Sequence, residues 1–150
     1  MILNLLNIML AVVVGPLMEE LVFRGLLLQR LMVKMSVNRA LIISSILFGV
    51  LHFESWLSAA IFGLMMGLLF LKTSNLWVPI IVHIFNNLVV VSLNLWQYRQ
   101  GQVWTLEEAH IFLPIYLVAF MILPVIIIFI RKYWPQDHMQ LPYLLNQSHQ

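Results

Sequence analysis

Residues 18–24 read Met18-Glu19-Glu20-Leu21-Val22-Phe23-Arg24, with the apolar run 12–17 before them and Leu26, Leu27 and Leu28 after. Two adjacent carboxylates and a guanidinium therefore stand inside a hydrophobic helical pattern. At mid-membrane one ionised side chain costs at least ~2.5 kcal/mol, so such residues are kept only where they pair or work. On a helix Glu20 and Arg24 are spaced i, i+4 and can form an ion pair, while Glu19 points about 100° round the axis. That leaves Glu19 as the carboxylate free for chemistry.

The composition makes a membrane the solvent for that helix. Of 150 residues 62% are hydrophobic and 9% charged, and the mean hydropathy is +0.94. A water-facing surface cannot be built from so few charges, and several apolar runs approach the ~20 residues that cross ~30 Å of hydrocarbon. The fold class read from this is all-α, a polytopic transmembrane helical bundle with about five to six membrane helices, short or broken ones included. A transmembrane barrel would alternate apolar and polar residues, and this chain does not. The formal charge of +2 is small and scattered, which argues against nucleic acid as a partner. Without cysteine there is no disulfide, thiolate nucleophile or thiolate metal site, so Glu, His, Asn and Ser remain for any reaction. The N-terminus lacks both the basic region and the small-residue cleavage site of a signal peptide, and is expected to stay in the mature chain.

Outward from the glutamates, residues 2–14 form a short apolar run that Gly15-Pro16 is expected to interrupt, either a partial span or the remainder of a longer one that starts upstream. Residues 17–35 carry the glutamate helix, closed by Arg30, Lys34 and Ser36-Val37-Asn38-Arg39. Residues 40–53 and 57–71 would together make a helix of roughly 48 Å, too long for a bilayer, so a tight turn is predicted near Glu54 and the first arm is short. A polar loop at 72–75, a full span at 77–96, a polar loop at 97–110 and a last span at 111–130 follow. The membrane domain is read as 1–134, and the tail 135–150, without a helical pattern, as loosely ordered.

Alternating these spans puts Arg30, Lys34, Arg39, Lys72, Arg131 and Lys132 on one side and Arg99 with Glu54, Glu107 and Glu108 on the other. By the positive-inside rule this predicts a multi-pass cell-membrane protein with a cytoplasmic C-terminus. Trp56, Trp77, Trp96 and Trp134 fall at span ends, as interfacial anchors do. Ala59, Gly63 and Gly67 share one helical face, a small-xxx-small pattern suited to close packing within the chain or to a helix partner.

Three more polar positions lie within apolar spans: His52, at the end of Phe48-Gly49-Val50-Leu51-His52, and His83 with Asn87. Phe48 and His52 share a helix face, as do His83 and Asn87, because each pair is spaced i, i+4. Counted at ~1.5 Å per residue from the basic flanks Lys34, Arg39 and Lys72, Glu20, His52 and His83 lie roughly 16 to 21 Å deep. They can meet at one level, and a single buried cavity lined by Glu19, His52, His83 and Asn87 is the economical arrangement. A lone intramembrane His or Asn can also be only an interhelical hydrogen bond, and a Glu-Arg pair can be structural throughout. Four such positions on three helices at matching depth favour a site. Asn86 is a second candidate, read as lying off the His83 face. Glu54 sits in the predicted turn, and His110, His138 and His149 fall in loops or tail; none of these four is assigned a role.

The order E-E-x-x-x-R, F-x-x-x-H, H-x-x-x-N, each motif on its own apolar helix, resembles the CPBP family of intramembrane proteases, named for CAAX and bacteriocin processing and also called the Abi family. Glu19, Glu20 and Arg24 match the first motif, Phe48 and His52 the second, and His83 and Asn87 the third. The resemblance spans residues 14–91. It implies an endopeptidase acting on a peptide or a membrane-associated, CAAX-type protein, with Glu19 and His52 activating a water and His83 and Asn87 holding the oxyanion. Glu20, Arg24 and Phe48 would be supporting residues. This agrees with elementary chemistry, since a carboxylate can take a proton from water and His and Asn supply donors for developing charge. Family members usually carry further membrane helices ahead of the glutamate motif, so a truncated or minimal member is one expectation.

Two alternatives stay open. Glu19, His52 and His83 could instead bind zinc with one position open to water, although H-E-x-x-H is missing and an Asn one turn from His83 suits an oxyanion better. No cofactor is required in the preferred mechanism. A non-enzymatic role, as a bacteriocin-immunity or binding protein, or a small transporter, could use the same polar cluster; the lack of an inverted repeat weighs against transport.

Overall fold

The computed structural model describes residues 5–99 and 113–135. Residues 1–4, residues 100–112, with Glu107, Glu108 and His110, and residues 136–150, with His138 and His149, lie outside the described residues. Helix α1 runs from Leu5 to Lys34, α2 is Val37–Val50, α3 Trp56–Thr73, α4 Trp77–Arg99 and α5 Leu113–Tyr133. No strand occurs among the described residues. The chain is an all-α helical membrane bundle: α1, α3 and the segment Trp77–Trp96 of α4 are each long and apolar enough to cross a bilayer, and α2 is a shorter apolar helix.

Helix α1 does not break at Gly15-Pro16, as the sequence had suggested, but changes register there. Two π stretches, Leu10–Val14 and Leu21–Leu28, flank the α-helical turn Gly15–Glu20 that carries both glutamates. In a regular α-helix Pro16 would clash with the carbonyl four residues back and withhold a hydrogen bond. The wide turn ahead of it absorbs the ring, with the Gly15 N–H donating to Leu10, five residues back, instead of to Ala11. A Cβ at position 15 would stand 3.1 Å from the Leu10 carbonyl oxygen, so this approach favours glycine. At the second π stretch the Gln29 side chain satisfies freed carbonyls, Nε2 donating to Gly25 at 2.8 Å and to Arg24 at 3.4 Å.

The predicted turn near Glu54 is a single 3₁₀ turn, Phe53–Ser55, and α2 and α3 form a tight antiparallel pair. Their contact is built from small residues. A Cβ at Gly49 would collide with the Trp56 carbonyl and Ala60, and one at Gly67 with Leu41. At Gly63 it would press on Phe48 at 3.2 Å and on the Arg24 guanidinium at 3.4 Å. The Ala59-Gly63-Gly67 face is thus filled by α1 and α2 of the same chain. Asn75 caps the next helix, its Oδ1 accepting from the Trp77 N–H at 2.9 Å, and Pro79 is tolerated because it lies in that first turn.

The helix ends bearing Lys34, Lys72 and Arg131 share one apolar cluster, in which Leu28, Val37, Ala40, Leu41, Leu68, Phe70 and Leu71 are packed by Leu31, Met32, Leu76, Phe129 and Ile130. Lys72 and Lys132 lie 5.8 and 5.6 Å from the Tyr133 ring, which ties the ends of α3 and α5 together. Polarity is inverted relative to a water-soluble protein. Glu20, Arg24, Ser44, Ser45 and His83 are buried, while Leu10, Val13, Leu21, Ile46, Ile81 and Val89 face outward. That is the pattern a hydrocarbon solvent selects.

Candidate active site

Five polar residues from α1, the end of α2 and α4 converge. Glu19, from the turn between the two π stretches, shares a cavity of about 550 Å³ with His52 at the end of α2 and His83, Asn86 and Asn87 of α4. Phe48, Ser55, Ser58, Ala59, Phe62 and Val90 complete its walls. The Glu19 Oε2 atom stands 3.9 Å from His52 Nε2 and 3.7 Å from His83 Nε2. Glu19 and His52 are about one-third exposed and reach the cavity space, whereas His83 is buried.

Each imidazole is held by its other nitrogen. His52 Nδ1 lies 2.8 Å from the Phe48 carbonyl, which can only accept, so Nδ1 carries a proton and donates. In the neutral ring Nε2 then offers a lone pair toward Glu19. The Phe48 ring stacks on His52 with centroids 4.6 Å apart, and Phe62 packs edge-on against His83 at 4.8 Å. His83 Nδ1 lies 2.8 Å from Glu20 Oε1 and donates to that carboxylate. With Nδ1 so committed, Nε2 presents an N–H to the cavity only when the ring carries both protons. Glu19 and Glu20 stand on its two sides, at Nε2 and Nδ1 respectively.

Behind His83 lies the ion pair that the first motif predicted. Arg24 Nη1 donates to Glu20 Oε1 at 3.1 Å, with both side chains buried. The second guanidinium arm donates to the Gly63 carbonyl at 2.7 Å, and the Phe48 ring covers the cation at 4.8 Å. Among the described residues Glu20 Oε2 has no hydrogen-bond partner. Glu20 therefore does more than neutralise Arg24: it bridges Arg24 to His83.

On α4, Asn87 Nδ2 donates to the Ala11 carbonyl at 3.0 Å and Asn86 Nδ2 donates to Asn87 Oδ1 at 3.3 Å. The sequence reading set Asn86 off the His83 face. The cavity includes it because residues three apart on a helix are neighbours, as residues four apart are. Ser55, Ser58 and Phe62 were passed over and Ala59 read only as a packing position, although their i, i+3, i+4, i+7 spacing marks one face of α3 and the residue before it. The Glu20–His83 bond crosses 63 residues, and no local pattern announces it.

Among the described residues no group of three His, Asp or Glu side chains could hold a metal ion as arranged.

A family model for the type II CAAX prenyl endopeptidase Rce1-like proteins matches residues 1–89, the stretch that contains all three motifs. The chain belongs to the Rce1-like family. The chain is also 34% identical over 92 residues to a Bacillus subtilis (strain 168) protein described as "Putative membrane peptidase YdiL". The matched region is 60% of this chain and 38% of that relative, so this Rce1-like chain spans well under half of the relative's length. No solved structure matches it.

Proposed function

We propose that this Rce1-like chain carries the catalytic centre of an intramembrane endopeptidase that hydrolyses a peptide bond in a membrane-associated protein or peptide, CAAX-type substrates included. The observation that carries the reading is the Glu19 carboxylate, 3.7 and 3.9 Å from two imidazole Nε2 atoms on the wall of a roomy cavity. A water standing beside this pair, on the cavity side, is within hydrogen-bond reach of both Glu19 and His52. Glu19 takes a proton from that water while the His52 Nε2 lone pair orients it, and the water oxygen attacks the scissile carbonyl carbon. The oxygen of the tetrahedral intermediate receives hydrogen bonds from His83 Nε2–H and Asn87 Nδ2–H. When the C–N bond breaks, protonated Glu19 returns its proton to the leaving amine, and the carboxyl product departs. No step needs a metal.

The lipid bilayer is the working environment, with the basic ends of α1, α3 and α5 and the C-terminus on the cytoplasmic side. Cysteines introduced at Ser74 and Gln102 are labelled from opposite sides under this topology; labelling from the same side overturns it.

The catalytic reading is tested with a quenched fluorescent peptide and detergent-purified His52→Ala and Asn87→Ala variants. Both are expected to lose kcat by about 10²-fold or more with little change in KM, since each removes a group acting in the transition state. Full activity in either variant ends the reading. Cells protected from a bacteriocin equally by wild type and by both variants would favour the immunity role.

A further inference from the structure

Ala11 lies in the first π stretch of α1, where both local donors for its carbonyl are missing. In α register the donor would be the Gly15 N–H, which goes to Leu10 instead. In π register it would be the N–H of residue 16, and residue 16 is proline. Away from water a carbonyl without a partner is costly, so a donor has to come from elsewhere. It comes from Asn87, 76 residues further on, at 3.0 Å.

That bond fixes more than the helix contact. An amide nitrogen has two hydrogens. With one held by Ala11 and Oδ1 facing Asn86 Nδ2 at 3.3 Å, turning the amide over would set oxygen against oxygen and nitrogen against nitrogen. The second Asn87 hydrogen is left for the cavity that its side chain lines.

We propose that Pro16 is a positioning residue of this site: by withholding an N–H it hands the Ala11 carbonyl to Asn87 and so sets which end of the Asn87 amide faces the oxyanion. The proposal rests on the reading of Asn87 as an oxyanion donor. Pro16 is also fully buried, so its bulk has to be separated from its missing hydrogen. Pro16→Val keeps most of the bulk and restores the N–H, and Pro16→Ala serves where valine prevents folding.

The test is a double-mutant cycle between Pro16→Val and Asn87→Ala with two readouts on detergent-purified protein. In peptide cleavage, Pro16→Val is expected to lower kcat about tenfold with KM within about twofold, Asn87→Ala about 10²-fold, and the double variant no more than Asn87→Ala alone. A folded Pro16→Val protein with full activity, or losses that multiply, overturns the proposal. In thermal melts Asn87→Ala is expected to lower Tm by about 2–4 °C in the wild-type background and hardly at all with Pro16→Val, where a local donor replaces the amide. Equal shifts in both backgrounds overturn it too. If wild type cleaves nothing, the catalytic reading and the oxyanion clause fall, and the melts alone decide whether Pro16 hands the Ala11 carbonyl to Asn87.

Discussion

Replacing Glu20 by glutamine keeps the shape of the side chain and removes its charge, at a position where one oxygen accepts from two donors. Oε1 receives Arg24 Nη1 at 3.1 Å and His83 Nδ1 at 2.8 Å, and the residue is fully buried. Breaking a buried pair by neutralising one member costs ~3–5 kcal/mol, because the other charge stays buried. Arg24 keeps the Gly63 carbonyl at 2.7 Å and the face of Phe48 at 4.8 Å, which lowers that cost. The new amide NH2, however, takes the place of Oε2, which has no hydrogen-bond partner among the described residues, and adds an unsatisfied donor. The two corrections roughly cancel, leaving about 4 kcal/mol and a fall in Tm of about 10 °C for a protein of this size. The effect on catalysis is separable. Without the charged carboxylate the bond that holds the His83 ring weakens, Nε2 is no longer firmly aimed at the cavity, and kcat is expected to fall by up to about 10²-fold, the value of one oxyanion donor. Melts in detergent and steady-state cleavage by the surviving folded fraction measure both. A glutamine variant with wild-type Tm and kcat would refute the bridge from Arg24 to His83 as the support of the site.

Three further outcomes follow from the same geometry. Arg24→Ala leaves the buried Glu20 carboxylate with His83 as its one donor among the described residues and is expected to cut the yield of membrane-inserted protein severalfold, as read by solubilised fluorescence-tagged protein. Gly63→Ala forces Phe48 and the Arg24 guanidinium aside, a cost of about 1–3 kcal/mol that a melt registers as a lower Tm; an unchanged Tm would contradict the close α1–α2–α3 contact. Phe48→Leu removes both the ring over Arg24 and the ring stacked on His52, and is expected to lower kcat and Tm together, whereas Ser58→Ala, at an exposed wall position, leaves Tm within about 1 °C.

The convergence of Glu19, His52, His83 and Asn87 was legible in the sequence because helical rise fixes depth and i, i+4 spacing fixes face, and both can be counted from the basic flanks. The turn at Phe53–Ser55 was legible for a similar reason, a bilayer having a set thickness. Gly15-Pro16 was misread as a break because local rules treat proline only as a lost hydrogen bond and a clash. The structure shows the loss made good by Asn87, which no window of α1 contains. The second role of Glu20 was hidden in the same way: its i, i+4 partner Arg24 is local, whereas His83 becomes a neighbour only when α4 folds back against α1. The small-residue stripe was legible as a packing face, but only the folded chain names Leu41, Phe48 and Arg24 as its occupants.

The central claim is that Glu19 activates the water. Cleavage of a peptide by detergent-purified wild type beside Glu19→Gln, each with and without a zinc chelator, tests it most directly. The account predicts cleavage by wild type that the chelator leaves intact and that Glu19→Gln loses while remaining folded. Wild-type activity that the chelator abolishes and zinc restores, or undiminished cleavage by Glu19→Gln, would contradict it.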